Sequence, residues 1–126
     1  MPERINWSVN VTVSSGPRLS VSSHLDVDAY DKLTLSLDAG ATDVDVDLQP
    51  GAAENVQFLM IKATPSDAQV TYTVAGSSTV RALDGPHFLV GTGAVGLLGA
   101  DPTQLTMSNG TADPVVIEVI VGRSAT

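Results

Sequence analysis

Ile5-Asn6-Trp7-Ser8-Val9-Asn10-Val11-Thr12-Val13 decides the fold class. Apolar and polar residues alternate along it without a break. A period of two puts Ile5, Trp7, Val9, Val11 and Val13 on one face of an extended strand, and Asn6, Ser8, Asn10 and Thr12 on the other. An amphipathic helix would need its apolar residues three and four apart. The segment predicts a strand with one covered face, ended by Gly16-Pro17. Trp7 is in phase with Ile5 and Val9 and is expected to face the core.

The same period recurs downstream. Leu19, Val21 and Leu25 predict a second strand. Leu33, Leu35 and Leu37 alternate with Thr34 and Ser36, and Val44, Val46 and Leu48 alternate with Asp43, Asp45 and Asp47. Asp38-Ala39-Gly40 and Pro50-Gly51 turn the chain. Residues 56–63 are apolar at both parities, as in a central strand covered on both sides. Val70, Tyr72 and Val74 form a further alternating segment, followed by short segments at Val80 to Leu83 and His87 to Val90. Leu105 and Met107 lead to an Asn109-Gly110 turn, and Val115, Ile117, Val119 and Val121 share one face of a final strand. The one helical candidate is a single turn from Ala94 to Leu98. The class is all-β. A single antiparallel β-sandwich or jelly-roll-like domain of about eight to ten short strands is expected over residues 1–126, with residues 1–4 as a short N-terminal arm.

The chain has 126 residues, enough for one core. It has no cysteine, which excludes disulfides and thiolate metal sites. With 14 Asp+Glu against 6 Lys+Arg, its formal charge is −8. That disfavours wrapping of a nucleic-acid backbone and attraction to an anionic membrane. No apolar h-region follows Arg4 and no apolar run approaches membrane-helix length, so a soluble protein made in a cytoplasm is expected. Three Asn-x-Ser/Thr matches, at Asn6, Asn10 and Asn109, are read as chance in that setting.

Motifs with possible chemistry have plainer readings beside them. Gly91-Thr92-Gly93-Ala94-Val95-Gly96 matches a dinucleotide-binding fingerprint, but Gly99 and Pro102 stop the helix that such a site needs. A glycine-rich loop is expected instead, and no cofactor. Asp43, Asp45 and Asp47 would project from one strand face, too far apart to share an ion. Asp26, Asp28 and Asp31 form a looser cluster that is the candidate Ca²⁺ site; the alternative is a solvated acidic edge that discourages strand pairing. No catalytic residue is assigned. His24 and His87 are the only histidines, no nucleophile elbow is present, and the chain reads as a non-enzyme.

Charge is unevenly placed. Residues 26–54 hold eight of the acids and one base, Lys32, while residues 85–100 hold no formal charge. The acidic stretch is expected to face solvent or a basic partner. The uncharged stretch reads either as core strand plus buried loop or as a subunit interface, with Phe88, Leu89, Val90, Val95, Leu97 and Leu98 as interface candidates.

The layout of the second half resembles small all-β virion proteins of tailed bacteriophages. The residues concerned are Phe58 to Ala63, Gly85 to Gly91, Leu105 to Asn109 and Val115 to Arg123. The resemblance covers roughly residues 33–123, rests on layout, and carries over no functional residue. It implies a homo-oligomer, often a trimer, docked on a larger protein shell such as the major capsid protein. The expectation is therefore a non-enzymatic structural protein of the virion. Capsid decoration comes first, a tail or spike component second, and a carbohydrate- or receptor-binding β-sandwich module is the rival. The contact elements would be the N-terminal strand with its arm and the loop from Gly91 to Gly99.

Overall fold

In a computed structural model that describes residues 3–48, 56–98 and 104–123, the alternating segments become strands. In chain order they are β1 (Glu3–Thr12), β2 (Arg18–Val27), β3 (Ala29–Leu37), β4 (Val44–Asp47), β5 (Val56–Thr64), β6 (Asp67–Val74), β7 (Arg81–Leu83), β8 (His87–Val90), β9 (Gln104–Asn109) and β10 (Val115–Arg123). Between β8 and β9 stands a one-turn helix α1 (Thr92–Val95), continued by a 3₁₀ turn (Gly96–Leu98).

Eight strands form two four-stranded sheets, in the orders β3-β10-β5-β8 and β4-β9-β6-β7. Every pairing is antiparallel. The pairs nest: β3 with β10, β4 with β9, β5 with β8 and β6 with β7. This is one long ribbon folded back on itself at the β6–β7 connection. Rolling it brings β10 against β5 and β9 against β6 and splits the ribbon into two sheets. The result is the strand order of a jelly roll, the more specific form of the expected sandwich.

Period two supplies the core. Leu33, Leu35 and Leu37 of β3, Ile117 and Val119 of β10, and Leu59, Ile61 and Ala63 of β5 meet Val46, Leu105, Met107, Val70, Tyr72 and Val74 of the other sheet in one cluster. Ile61, Ile117, Val119, Leu105 and Met107 are all at 0% exposure, and each such side chain contributes about 1.5–3 kcal/mol of burial. The strand expected to be covered on both faces, β5, lies inside its sheet between β10 and β8.

Asn109 is the one fully buried polar side chain among the described residues. Its Nδ2 donates to the carbonyls of Leu37 (3.1 Å), Asp38 (3.2 Å) and Asp113 (2.9 Å), and its Oδ1 accepts from the backbone N–H (3.0 Å) and hydroxyl (2.6 Å) of Thr111. The expected Asn-Gly turn is thus a clamp. It ties the β9–β10 connection to the point where β3 leaves one sheet for the other.

The first two strands stand apart. β1 and β2 form their own two-stranded ribbon, registered from Glu3 opposite Val27 to Thr12 opposite Arg18. The expectation of a short N-terminal arm over residues 1–4 is corrected at Glu3 and Arg4. They are strand residues, because β2 is long enough to pair with them and Arg4 meets Asp26 across the ribbon. Met1 and Pro2 lie outside the described residues.

Candidate functional site

The β3-β10-β5-β8 sheet has an unusual outer face. Register places Phe58, Met60 and Lys62 of β5 on it, beside Glu118, Ile120 and Gly122 of β10 and Phe88 of β8. A solvent-facing sheet should be polar throughout. Here one end carries Phe58, Met60, Phe88 and Ile120, and the base of the β1–β2 ribbon lies over that end.

Three contacts seat the ribbon. Trp7 meets Phe88 edge-on with ring centroids 5.9 Å apart, and Phe88 meets Phe58 in the same manner at 5.5 Å. Ile5 lies over Gly122. A Cβ built there would stand 2.8 Å from Ile5 Cδ1 and 3.3 Å from both Phe58 Cβ and Val27 Cγ1, so any side chain at this position would push its neighbours aside. Trp7 accordingly faces the outer side of the sheet and not the space between the sheets. Period two defines a face but not the layer that covers it. The indole Nε1–H is buried and meets no acceptor among the described residues.

The seat is incomplete. Between ribbon and sheet lies an open cleft of about 570 Å³, walled by Ile5, Trp7 and Val9 above and Phe58, Met60, Phe88 and Ile120 below. Beyond Val9 the ribbon's apolar face continues with no cover among the described residues. Val11 is 49% exposed, Val13 52%, Leu19 68% and Val21 47%. Val9 pairs with Val21 and Val11 with Leu19, so these rungs share one face. The opposite face carries Arg4, Asn6, Ser8 and Asn10 opposite Asp26, His24, Ser22 and Ser20.

The predicted interface residues divide. Val95 and Leu98 are each 4% exposed and belong to the chain's own core, so they are corrected from interface to plug. A run without charge is what burial requires, whoever supplies the cover. Leu89 packs against the same core. Phe88 and Val90 sit on the outer-face parity, with Phe88 under the ribbon. Leu97 is 73% exposed. The loop begins at Gly91, whose φ of 90° favours glycine; Gly99 lies outside the described residues.

Two of the three candidate calcium ligands pair with arginines distant in sequence. Asp26 accepts from Arg4 Nε at 3.0 Å, and Asp31 pairs with Arg123 Nη2 at 2.7 Å. The Arg4 hydrogen bond holds the Asp26 carboxyl below its ordinary value. The Asp28 backbone N–H donates to the Arg123 carbonyl at 2.9 Å. Among the described residues no three His, Asp or Glu side chains gather as a metal site. Asp45 accepts from Thr106 Oγ1 at 3.0 Å on the edge strand β4.

Neither histidine lines the cleft. His24 is exposed on the ribbon's polar face. His87 Nδ1 is 2.6 Å from the Tyr72 hydroxyl, with the rings edge-on. Burial raises the Tyr72 phenol above its ordinary value, and the nearby Arg81 charge opposes that rise. Arg81 itself donates to the Leu98 carbonyl at 2.9 Å and so ties β7 to the 3₁₀ turn. This polar pair braces the end of the sandwich.

Sequence reasoning misses the overhanging ribbon and the cleft. The weak signal is the content of residues 18–25: Leu19, Val21 and Leu25 are spaced by serines, far less apolar than β5 or β10. Comparison of the chain with family models, with curated proteins and with solved structures gives no match.

Proposed function

We propose that the chain is a non-enzymatic structural protein of a virion, bound to the outside of a phage capsid shell as a decoration protein. The observation that carries this reading is the ribbon. A jelly roll already complete in its own core bears an extra amphipathic ribbon whose outer half exposes Val11, Val13, Leu19 and Val21. Such apolar overhang on a folded domain is surface made for contact with protein. The charge distribution supports the reading. The acid-rich segment contributes β3 and β4, the edge strands of the two sheets, where like charge discourages strand pairing.

The mechanism is mechanical. Each copy removes apolar surface from water against the shell and so raises the free energy of shell expansion or rupture, at roughly 25 cal/mol per Å² before association costs. The test is co-sedimentation of the purified protein with phage shells that lack it. The expected result is saturable binding and a higher temperature of shell rupture. Absence of binding to any shell, with binding instead to tail structures or to a glycan array, overturns the decoration reading in favour of its rivals.

A further inference from the structure

We propose that the cleft under the proximal half of the ribbon binds one free single-chain amphiphile, an alkyl tail ended by an anionic head such as a carboxylate. The tail would lie between Trp7 and the sheet, and the head would meet Lys62 and Lys32. The proposal does not rest on the virion reading. It uses Ile5 to Val9 of β1, not the exposed half of the ribbon assigned above to the shell.

Register builds the site in three rungs on the outer face of the sheet. Across β10 and β5, Gly122 pairs with Phe58, Ile120 with Met60 and Glu118 with Lys62, and Lys32 of β3 stands opposite Ile120. Successive rungs on one face are about 6.6 Å apart, so Phe58 and Lys62 are about 13 Å apart along β5. Over that length, which a medium-chain acyl tail spans, the face changes from apolar to charged. Two openings follow the same line. The cleft of about 570 Å³ has Ile5, Trp7 and Val9 above it and Phe58, Met60, Phe88 and Ile120 below. A second hollow of about 170 Å³ is walled by Lys32, Met60, Lys62, Glu118 and Ile120. Met60 and Ile120 wall both, so the two openings adjoin.

Size argues for a small occupant. The cleft has ten wall residues, against about 20–30 a side in a stable protein interface. Its volume falls within the range of about 300–1,000 Å³ usual for small ligands, whose sites combine apolar walls with a few polar groups that fix orientation.

Charge selects the head. Lys32 and Lys62 are the only lysines in a chain of net charge −8, and both stand on this one face. Glu118 is 3.8 Å from Lys32 Nζ, in a pair whose side chains are 57% and 37% exposed. Lys62 has no ion pair among the described residues. Two cations against one carboxylate leave a surplus positive charge at the end of the apolar line. A carboxylate head neutralises it, whereas an ammonium head meets like charge.

Trp7, the sole tryptophan, walls the cleft and reports its occupation. The purified protein is titrated with sodium dodecanoate below the concentration at which micelles form, and Trp7 emission is followed beside calorimetry. Saturable one-to-one binding with a blue shift is expected. From hexanoate to dodecanoate the affinity should rise about two- to fourfold per methylene, the range from half to full burial. Dodecylammonium should bind several-fold more weakly than dodecanoate. Lys62→Gln, an exposed change, should weaken dodecanoate about three- to fivefold and leave dodecanol unaffected. Met60→Glu, which places a carboxylate in the apolar floor, should abolish dodecanoate binding while far-ultraviolet circular dichroism stays unchanged. Absence of dodecanoate binding, uptake that never saturates, or equal affinity for the ammonium overturns the proposal. So does an anion preference that survives Lys32→Gln and Lys62→Gln together, or binding confined to phosphatidylglycerol vesicles, which would make this face a membrane contact.

Discussion

Replacing Gly122 by valine should loosen the ribbon without unfolding the sandwich. The new Cβ would lie 2.8 Å from Ile5 Cδ1, where a rotation can relieve it, but also 3.3 Å from Phe58 Cβ and Val27 Cγ1. Overpacking of this kind costs about 1–3 kcal/mol. Ribbon seating rests mainly on half-buried Ile5 and Trp7, worth about 1–1.5 kcal/mol each, plus about 1 kcal/mol from the Trp7–Phe88 edge contact. The total is about 3.5 kcal/mol, so the unseated fraction is about 0.3% in the native protein. Subtracting about 2 kcal/mol raises it to about 7%. Trp7 is the sole tryptophan and sits at the seat, so its emission reports seating alone, while far-ultraviolet circular dichroism reports the sandwich. In a urea titration the Trp7 transition should precede the circular dichroism transition, and Gly122→Val should widen the gap. Coincident transitions in both proteins would refute the reasoning, because ribbon and sandwich would then be one cooperative unit.

Other substitutions test other joints. Asn109→Ala removes five hydrogen bonds and leaves the buried Leu37 carbonyl without its side-chain donor. It should cost about 3 kcal/mol, or roughly 10 °C in Tm by calorimetry, and Asn109→Asp should not rescue it because the donors are still lost. Because Asp26 is lowered by Arg4, its contribution is present above the unfolded carboxylate value and lost as pH falls through the folded one. The Trp7-reported seating should therefore weaken slightly on acidification below about pH 4, and less so in Asp26→Asn. Tyr72 has the opposite sign: its raised phenol favours the folded state up to the ordinary tyrosine range, and that contribution is lost at more alkaline pH. Ultraviolet titration should show one tyrosine ionising late, and Tyr72→Phe should abolish that step at a cost of about 1 kcal/mol.

Local chemistry made the strands legible. Each of the ten contains either strict alternation or an apolar run, and Gly16-Pro17 and Asp38-Ala39-Gly40 punctuate them where the chain does turn. Partnership across the chain was much less legible. Asp26, Asp28 and Asp31 look like a cluster because they are close in sequence. What decides their chemistry is Arg4 and Arg123, brought in by the ribbon and by β10. Arg4 reads as part of a short terminal arm for the same reason, since its partner lies 22 residues away.

Cover is the quantity that a single chain encodes least. Val95 and Leu97 sit in the same uncharged run, yet one is 4% exposed and the other 73%. Lack of charge says that a residue tolerates burial; it does not say which surface provides it. The same holds for the ribbon. Ile5, Trp7, Val9, Val11 and Val13 are one unbroken alternation, and nothing in the pattern marks where the chain's own cover ends. The structure puts that boundary at Val9: before it the apolar face is met by Phe58, Phe88 and Gly122, and after it by nothing in the described chain. Selection for a lone domain would favour breaking the alternation at that boundary with a polar residue at position 11 or 19. The persistence of Val11 and Leu19 past the boundary is the physical reason to seek the missing cover in another molecule.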